Sequence, residues 1–180
     1  MKRNLILYGL SGTYKKTVGK LLADRLGMLY CDTDRLIEYT VDCTIAEYLD
    51  HYTAEAFSRL ERKVILQASE YDDVVIAANA ATLDNPENAA NLSKSGVMIW
   101  LKAKPEVIAC RLEDEGDRPG APRGDRLAEL KELLAAREPI FKKAAEITVD
   151  NTLLSPEETA VKIMKELLKY TRRQASEVCG

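Results

Sequence analysis

Residues 9–19, GLSGTYKKTVG, have the spacing of a phosphate-binding loop. Such a loop reads G-x-x-x-x-G-K-[ST]: the glycines let backbone N–H groups close around phosphate oxygens, the lysine contacts the phosphates, and the hydroxyl holds Mg²⁺. Gly9 and Lys15 occupy the expected positions, but Tyr14 replaces the second glycine and Lys16 replaces the hydroxyl residue. The pattern predicts phosphate binding and leaves open whether a phosphate is transferred.

Tyr14 and Lys16 change the chemistry expected of this loop. Tyr14 brings a Cβ and a ring to a position where glycine is used for its backbone freedom; unless its φ is negative, this costs on the order of 1 kcal/mol. Lys16 removes the expected metal-binding hydroxyl, and a protonated ammonium cannot act as a metal ligand. We therefore expect weak dependence on Mg²⁺ or none.

Two carboxylates, Asp32 and Asp34, follow the second apolar run. Hard carboxylate oxygens can orient Mg²⁺ or its waters, and a carboxylate can accept the proton of an attacking hydroxyl. The alternative is that Asp32 or Thr33 only caps the next helix. Taken alone, these residues favour the helix cap.

Apolar runs of strand length alternate with helical patterns along the chain, as in an α/β domain with a parallel sheet. The five strand candidates are residues 4–8, 28–31, 74–78, 97–101 and 146–151. Helix signals include Gly27 as a terminator, a capping box at Thr44 and Glu47, and Pro86 as a helix start. A long helix is predicted from about 127 to 145 with a bend or break at Pro139.

Two further segments carry boundary signals. Ser155 and the residues Pro156, Glu157 and Glu158 open a terminal helix. Residues 113–125 are rich in Gly, Pro and charge, so we expect them to form a lid.

Bulk properties narrow the function classes. The chain has 180 residues with 46% hydrophobic and 31% charged content, which predicts a single domain over 1–180, with disorder allowed for residues 173–180. A net charge of −3 gives no basic face for nucleic acid. No apolar run approaches the roughly 20 residues of a membrane span, and no leader peptide is recognisable, so we expect a cytoplasmic protein. With four scattered cysteines and His51 as the only histidine, a zinc site and a histidine-dependent hydrolase are disfavoured.

Six stretches, in order, resemble the motifs of the shikimate kinase family over the chain up to about residue 170. They are GLSGTYKKTVG, CDTDRLIE, AFSRLER, IAANAATLD, GDRPG and AREPIF. The resemblance implies the P-loop kinase fold, with three αβα layers and a five-stranded parallel sheet. It also implies ATP and Mg²⁺ as cofactors and a small anionic ligand such as shikimate.

The resemblance assigns roles to individual residues of the nucleotide side. The nucleotide-binding residues would be Gly9, Ser11, Gly12, Thr13, Tyr14, Lys15, Lys16, Thr17, Arg111 and Arg118. Lys15, Asp34 and Arg118 would be catalytic, with Asp34 as the base and Arg118 closing over the phosphates from the lid. Asp32 would orient Mg²⁺. For Arg111, a solvated surface charge is an equally good interpretation.

The substrate side departs further from the family pattern. Its residues would be Asp34, Ser58, Arg59, Ala80, Ala81 and Arg137. Ser58 stands where the family has an arginine that clamps the substrate carboxylate, and Arg59, one residue along a helix, points about 100° away. Asn79, Ala80 and Ala81 replace a glycine triplet, so side chains crowd the pocket floor. Arg137 matches the second carboxylate-binding arginine.

Three functions are compatible with these residues. One is a working ATP-dependent kinase of shikimate or a related hydroxy acid; another is a kinase with a changed acceptor. The third is an impaired or silent relative that keeps a phosphate site and acts through a protein partner. Because the loop, the metal ligand and the substrate clamp are all altered, we favour the impaired relative. Separately, we expect the protein to be a monomer.

Overall fold

The computed structural model describes residues 3–114 and 123–178. Most of the expected lid, including Arg118, lies outside the described residues. Among the described residues, none of the helices has both the length and the hydrophobicity of a membrane span.

Five parallel strands form one sheet, as the sequence predicts. They are β1 (Asn4–Tyr8), β2 (Leu29–Asp32), β3 (Val74–Ala77), β4 (Gly96–Lys102) and β5 (Ile147–Asp150). Their order is β2-β3-β1-β4-β5, and every pair is parallel. β1 and β3 are buried along their whole length because helices cover both faces of the sheet. The predicted strand boundaries are correct to within one residue.

Helices connect the strands. They are α1 (Lys15–Leu26), α2 (Thr33–Val41), α3 (Ile45–His51), α4 (Ala54–Ser69), α5 (Pro86–Ser95), α6 (Pro105–Asp114), α7 (Arg123–Ala144) and α8 (Pro156–Val178), with a short 3₁₀ helix at Ala80–Asp84. The predicted caps are confirmed: Gly27 ends α1 with φ 66°, the box at Thr44 and Glu47 is closed in both directions, and Pro86 begins α5.

Two boundaries differ from the sequence prediction. α7 begins at Arg123 and continues through Pro139, which we expected to bend or break it. The helix persists because Leu130 and Phe141, on either side of the proline, are both buried in the core. α8 extends to Val178, so residues 173–178, for which we allowed disorder, are helical.

Alternation along the strands divides the core into two halves. Ile6, Tyr8 and other side chains on one face of the sheet pack against α4, α5, α6 and α7. Leu5 and Leu7, on the opposite face, pack against α1 and α8. This three-layer arrangement confirms the predicted αβα fold. It brings the carboxyl ends of β1, β2 and β3 together, where open parallel sheets bind their ligands.

Candidate active site

The predicted phosphate loop connects β1 to α1. Gly9 has φ 147°, and a Cβ there would lie 2.3 Å from the carbonyl oxygen of Leu101 on β4. Gly12 has φ 75°, and its Cβ position lies 3.1 Å from the carbonyl oxygen of Ile108. Both positions therefore require glycine, for backbone conformation and for space. These two glycines hold the loop against β4 and α6.

Tyr14 keeps the backbone conformation that a glycine would adopt. Its φ of 62° and ψ of 20° are left-handed, so the strain that we expected for a positive φ is present. Its ring packs on Arg111, with the guanidinium carbon 4.1 Å from the ring centroid. The ring is thus directed onto Arg111, and a cavity of about 370 Å³ stays open beside the loop. This cavity is lined by Ser11, Gly12, Tyr14, Lys15, Lys16, Thr17, Asp34 and Leu112.

Arg111 is a buried cross-link, whereas the sequence left it between a nucleotide contact and a solvated charge. The whole residue is 8% exposed, which contradicts the solvated alternative. Its guanidinium donates to the carbonyl oxygens of Gly12, Asn151, Thr152 and Leu154, and also to the side-chain oxygen of Asn151. Arg111 therefore joins the phosphate loop to the connection between β5 and α8.

Asn151 completes this cross-link from the other side. It is fully buried at the end of β5, and its side-chain amide donates to the carbonyl oxygen of Thr13 at 2.9 Å. Thr13 is also buried, and its hydroxyl donates to the carbonyl oxygen of Leu10. Sequence reasoning missed Asn151; its position directly after the last strand of the sheet is the signal that could have found it.

The first turn of α1 presents two lysines. The Lys15 ammonium donates to the carbonyl oxygen of Leu10 at 2.8 Å, so its charge lies over the loop. Tyr14 is the N-cap of α1 and supplies no side-chain hydrogen bond to the first turn. Backbone N–H groups at such a helix start attract anions. The loop therefore offers a cationic setting for a phosphate group.

Lys16 forms ion pairs with both carboxylates that follow β2. Its ammonium lies 2.9 Å from Oδ2 of Asp32 and 3.6 Å from Oδ2 of Asp34. The other oxygen of Asp32 accepts the backbone N–H of Asp34, so Asp32 also caps α2. Both sequence interpretations of Asp32 are thus compatible with its place: it caps a helix and faces the phosphate loop.

The charge of Lys16 is stabilised where it lies. Partial burial alone would lower the pKa of the ammonium, but the hydrogen bond and charge of Asp32, with the charge of Asp34, outweigh this effect. The net result is a pKa above the ordinary lysine value. Lys16 is therefore a permanent cation between the two carboxylates at neutral pH.

Asn79 extends this cluster toward β3. Its side-chain amide lies 3.4 and 3.5 Å from the two carboxylate oxygens of Asp34, and its own oxygen caps the 3₁₀ helix by accepting from the N–H of Ala81. Ala80 is buried and Ala81 is exposed, so only one of the two methyl groups enters the packed floor. A second cavity, of only about 40 Å³, lies between this turn and the loop. Its lining residues are Ser11, Lys15, Lys16, Asp32, Asp34, Ala77, Ala78 and Asn79.

The expected substrate residues on α4 face different environments. Ser58 is half-buried and Arg59 is exposed, as the rotation of one helical position requires. Glu61, on the same helix, accepts hydrogen bonds from Thr82 at 2.9 Å and Asn88 at 3.2 Å. Burial, then the charges of Asp34 and Asp84, raise the pKa of Glu61 against these two hydrogen bonds. Glu61 therefore brings a half-buried acidic group to α4 three residues after Ser58, the position where the family pattern led us to expect a cationic clamp.

Arg137 on α7 is engaged by a carboxylate of the same chain. Its Nε lies 3.2 Å from each oxygen of Asp84, and its terminal nitrogen donates to Oδ2 at 2.8 Å. Its side chain is 19% exposed. Sequence reasoning missed Asp84, because no local pattern links residues that are 53 positions apart.

Comparisons with known proteins agree with this geometry. The family model described as shikimate kinase matches residues 11–168. A protein named shikimate kinase from Caldanaerobacter subterraneus subsp. tengcongensis is 36% identical over 171 residues, covering 95% of this chain and 99% of the relative. Another so named, from Symbiobacterium thermophilum, is 36% identical over 172 residues, covering 94% and 99%. A solved structure of shikimate kinase from Acinetobacter baumannii in complex with shikimate superimposes with a TM-score of 0.84 at 25% identity, covering 94% of each chain.

Proposed function

The chain belongs to the shikimate kinase family, and we propose that it is a phosphate- and nucleotide-binding member whose transfer of phosphate from ATP to shikimate is impaired or absent. The family uses ATP and Mg²⁺. How far this chain retains that chemistry depends on the contacts of Lys16, which stands at the hydroxyl position of the loop.

The observation that carries the proposal is the ion pair of Lys16 with Asp32. An ammonium 2.9 Å from an oxygen of Asp32 already neutralises the carboxylate that would orient Mg²⁺. The other oxygen of Asp32 accepts a backbone N–H, and the loop hydroxyl is missing at residue 16. These residues do not fit a magnesium ion held between the loop and Asp32, because a protonated lysine repels a cation and donates no lone pair.

The remaining loop chemistry supports binding of an anion. Lys15, Lys16 and the first-turn N–H groups of α1 supply positive charge beside the cavity of about 370 Å³. Phosphoryl transfer additionally needs charge neutralisation that bridges the phosphates and holds them in line. Two lysines, one of them tied to two carboxylates, provide charge without that bridging geometry.

Asp34 lies between the nucleotide side and the substrate side of the proposed reaction site. It lines the cavity beside the loop, and Lys16 and Asn79 both approach its carboxylate. In the proposal Asp34 is the inherited base, held by these neighbours. Arg118 is the inherited lid arginine and Arg137 the inherited acceptor arginine.

A turnover assay with Mg·ATP and shikimate tests the proposal. We expect the purified protein to show little or no phosphorylation of shikimate, while a double variant, Tyr14→Gly with Lys16→Ser, gains affinity for ATP. The Lys16→Gln variant, which removes the charge and adds no hydroxyl, is the matched control and should not gain a response to Mg²⁺. Robust phosphorylation of shikimate by the unaltered chain would overturn the proposal.

The alternative is an active ATP-dependent kinase of shikimate or a related small hydroxy acid. It is favoured by 36% identity over nearly the whole chain to relatives named shikimate kinase. It predicts ATP turnover that depends on an added hydroxy acid, whereas the impaired relative shows little or none with any acceptor.

We propose a single domain, a monomer and a cytoplasmic location, with a small anionic molecule as the ligand and nucleic acid excluded by the acidic balance. A silent member would act through a protein partner. Sedimentation of the purified chain tests the monomer.

A further inference from the structure

Arg137 on α7 and Asp84 at the end of the 3₁₀ helix form an ion pair. The guanidinium meets the carboxylate through two nitrogens, with a shortest distance of 2.8 Å. This fork geometry is the one in which arginine recognises a carboxylate ligand. Asp84 is 44% exposed at its side chain, while Arg137 is 19% exposed, so the arginine is the more enclosed partner.

The location of the pair connects it to the acceptor side of the site. Asn79, at the start of the 3₁₀ helix, contacts Asp34, and Asp84 is the last residue of the same helix. Five residues of 3₁₀ helix span about 10 Å. In the proposed function, an acceptor placed with a hydroxyl at Asp34 would therefore extend along this helix toward Arg137.

The charges around this space are mostly negative. Glu61 lies close enough to Asp34 and Asp84 that the negative charges of these two aspartates raise its pKa. Ser58 brings no charge from α4. An anionic ligand would meet these carboxylates and would also have to displace Asp84 from Arg137.

We infer that Asp84 determines acceptor specificity, because it occupies Arg137 as an internal carboxylate, and that the site selects a hydroxyl compound without a carboxylate group. The inference rests on the proposed function, in which Asp34 faces the acceptor hydroxyl. It names the class of compound that binds beside the anion of the phosphate loop: an alcohol or polyol that is uncharged where shikimate carries its acid.

Calorimetric titrations with shikimate and with shikimate methyl ester test this inference, in the absence of nucleotide and metal. The unaltered chain should bind the ester at least as tightly as shikimate. Asp84→Asn should bind shikimate at least about fivefold tighter than the unaltered chain, since the freed guanidinium can pair with the ligand. Its affinity for the ester should be unchanged.

Glu87→Gln is the matched control, because Glu87 pairs with Arg62 at the same distance of 2.8 Å on the neighbouring helices. Glu87→Gln removes one negative charge, as Asp84→Asn does, and should leave the affinities for shikimate and for the ester unaltered. Thermal melting verifies the fold of each variant, and Asp84→Ser provides a second charge removal.

Two results would overturn the inference. One is that the unaltered chain binds shikimate more tightly than the ester. The other is that neither Asp84 variant gains about fivefold in affinity for shikimate, including the case in which no titration shows binding. Both results are measured in the absence of ATP. Failure of the proposed function is measured separately, as phosphorylation of shikimate with Mg·ATP, so the two failures are distinguishable.

Discussion

Tyr14 occupies a left-handed backbone conformation that glycine adopts more readily. A left-handed backbone costs a residue other than glycine on the order of 1 to 2 kcal/mol. A guanidinium over an aromatic ring stabilises the folded state by about 0.5 to 1 kcal/mol, and by more when the pair is desolvated. Because Arg111 is buried and lies 4.1 Å from the ring centroid, the stacking offsets much of the strain.

Substitutions of Tyr14 should separate these two contributions. Tyr14→Ala keeps the strained backbone and loses the ring, so we expect it to reduce the free energy of unfolding by about 1 kcal/mol. Tyr14→Gly loses the ring but relieves the strain, so it should stay within about 0.5 kcal/mol of the unaltered chain. Urea denaturation measures both. Equal losses in the two variants would show that the backbone strain is unimportant.

The ion pairs of Lys16 predict a stability contribution that is lost in alkali. The folded pKa of Lys16 is raised above its unfolded value of 10.5, so folding favours the protonated form. The contribution is complete below pH 10.5 and disappears as pH rises through the folded pKa. We expect the melting difference between the unaltered chain and Lys16→Met to be constant from pH 6 to 9 and to shrink above about pH 10.5.

Lys20→Met is the control for this comparison, since Lys20 lies one turn further along α1 and contacts the Tyr30 ring. Its melting difference should be smaller at pH 7 than that of Lys16→Met. A difference for Lys16→Met that increases in alkali would contradict the assigned pairing.

At the scale of elements, Arg111 ties α6 to two segments that are distant in sequence. It donates to carbonyl groups of the phosphate loop and of the connection before α8. We expect Arg111→Met to lower the free energy of unfolding by about 3 kcal/mol, because several buried acceptors would lose their donor. Arg111→Lys should lose less, as it keeps the charge but not the fork.

Urea denaturation of both variants checks this prediction. Arg62→Met, which removes an arginine from an exposed pair, should change the stability by less than about 1 kcal/mol. A loss for Arg111→Met as small as that of Arg62→Met would refute the cross-link as a main support of the loop.

The elements were mostly predictable from sequence because their signals are local. Apolar runs gave five strands, and caps such as Thr44 with Glu47 gave helix starts. The predicted bend or break at Pro139 was wrong because burial of Phe141 outweighs the local cost of a proline inside α7. The candidate site was predictable by residue type, but its pairings were not. Arg137 with Asp84 joins positions 53 residues apart, and only the assembled sheet brings them together.

At the scale of the whole molecule, both halves of the core share one sheet. Trp100, the only tryptophan, lies on β4, which pairs with β1 and with β5. It is buried beside Phe141 of α7. Strands that contribute side chains to both faces couple the two halves.

We therefore predict one cooperative unfolding transition for the chain. Tryptophan fluorescence should report the same urea midpoint as far-ultraviolet circular dichroism, which follows all helices. Separate midpoints would show that the face covered by α4 to α7 unfolds independently, which would contradict a single domain.

Two side chains of the chain itself occupy positions where charged ligands are expected. The ammonium of Lys16 lies on the carboxylates that would orient a metal, and the carboxylate of Asp84 lies on the arginine that would bind an acid. Each fills a place that the family resemblance assigns to a charged ligand. In the proposed function, the loop therefore binds its anion without a metal.

If Lys16 takes the place of the metal, ATP binding needs no Mg²⁺, and calorimetric titration of ATP in EDTA and then in excess Mg²⁺ measures this dependence. We expect ATP to bind in EDTA at least as tightly as in Mg²⁺, with Lys16→Ser reversing that preference. Binding to the unaltered chain that strengthens about tenfold or more when Mg²⁺ is added, equal to about 1.4 kcal/mol, would contradict the account.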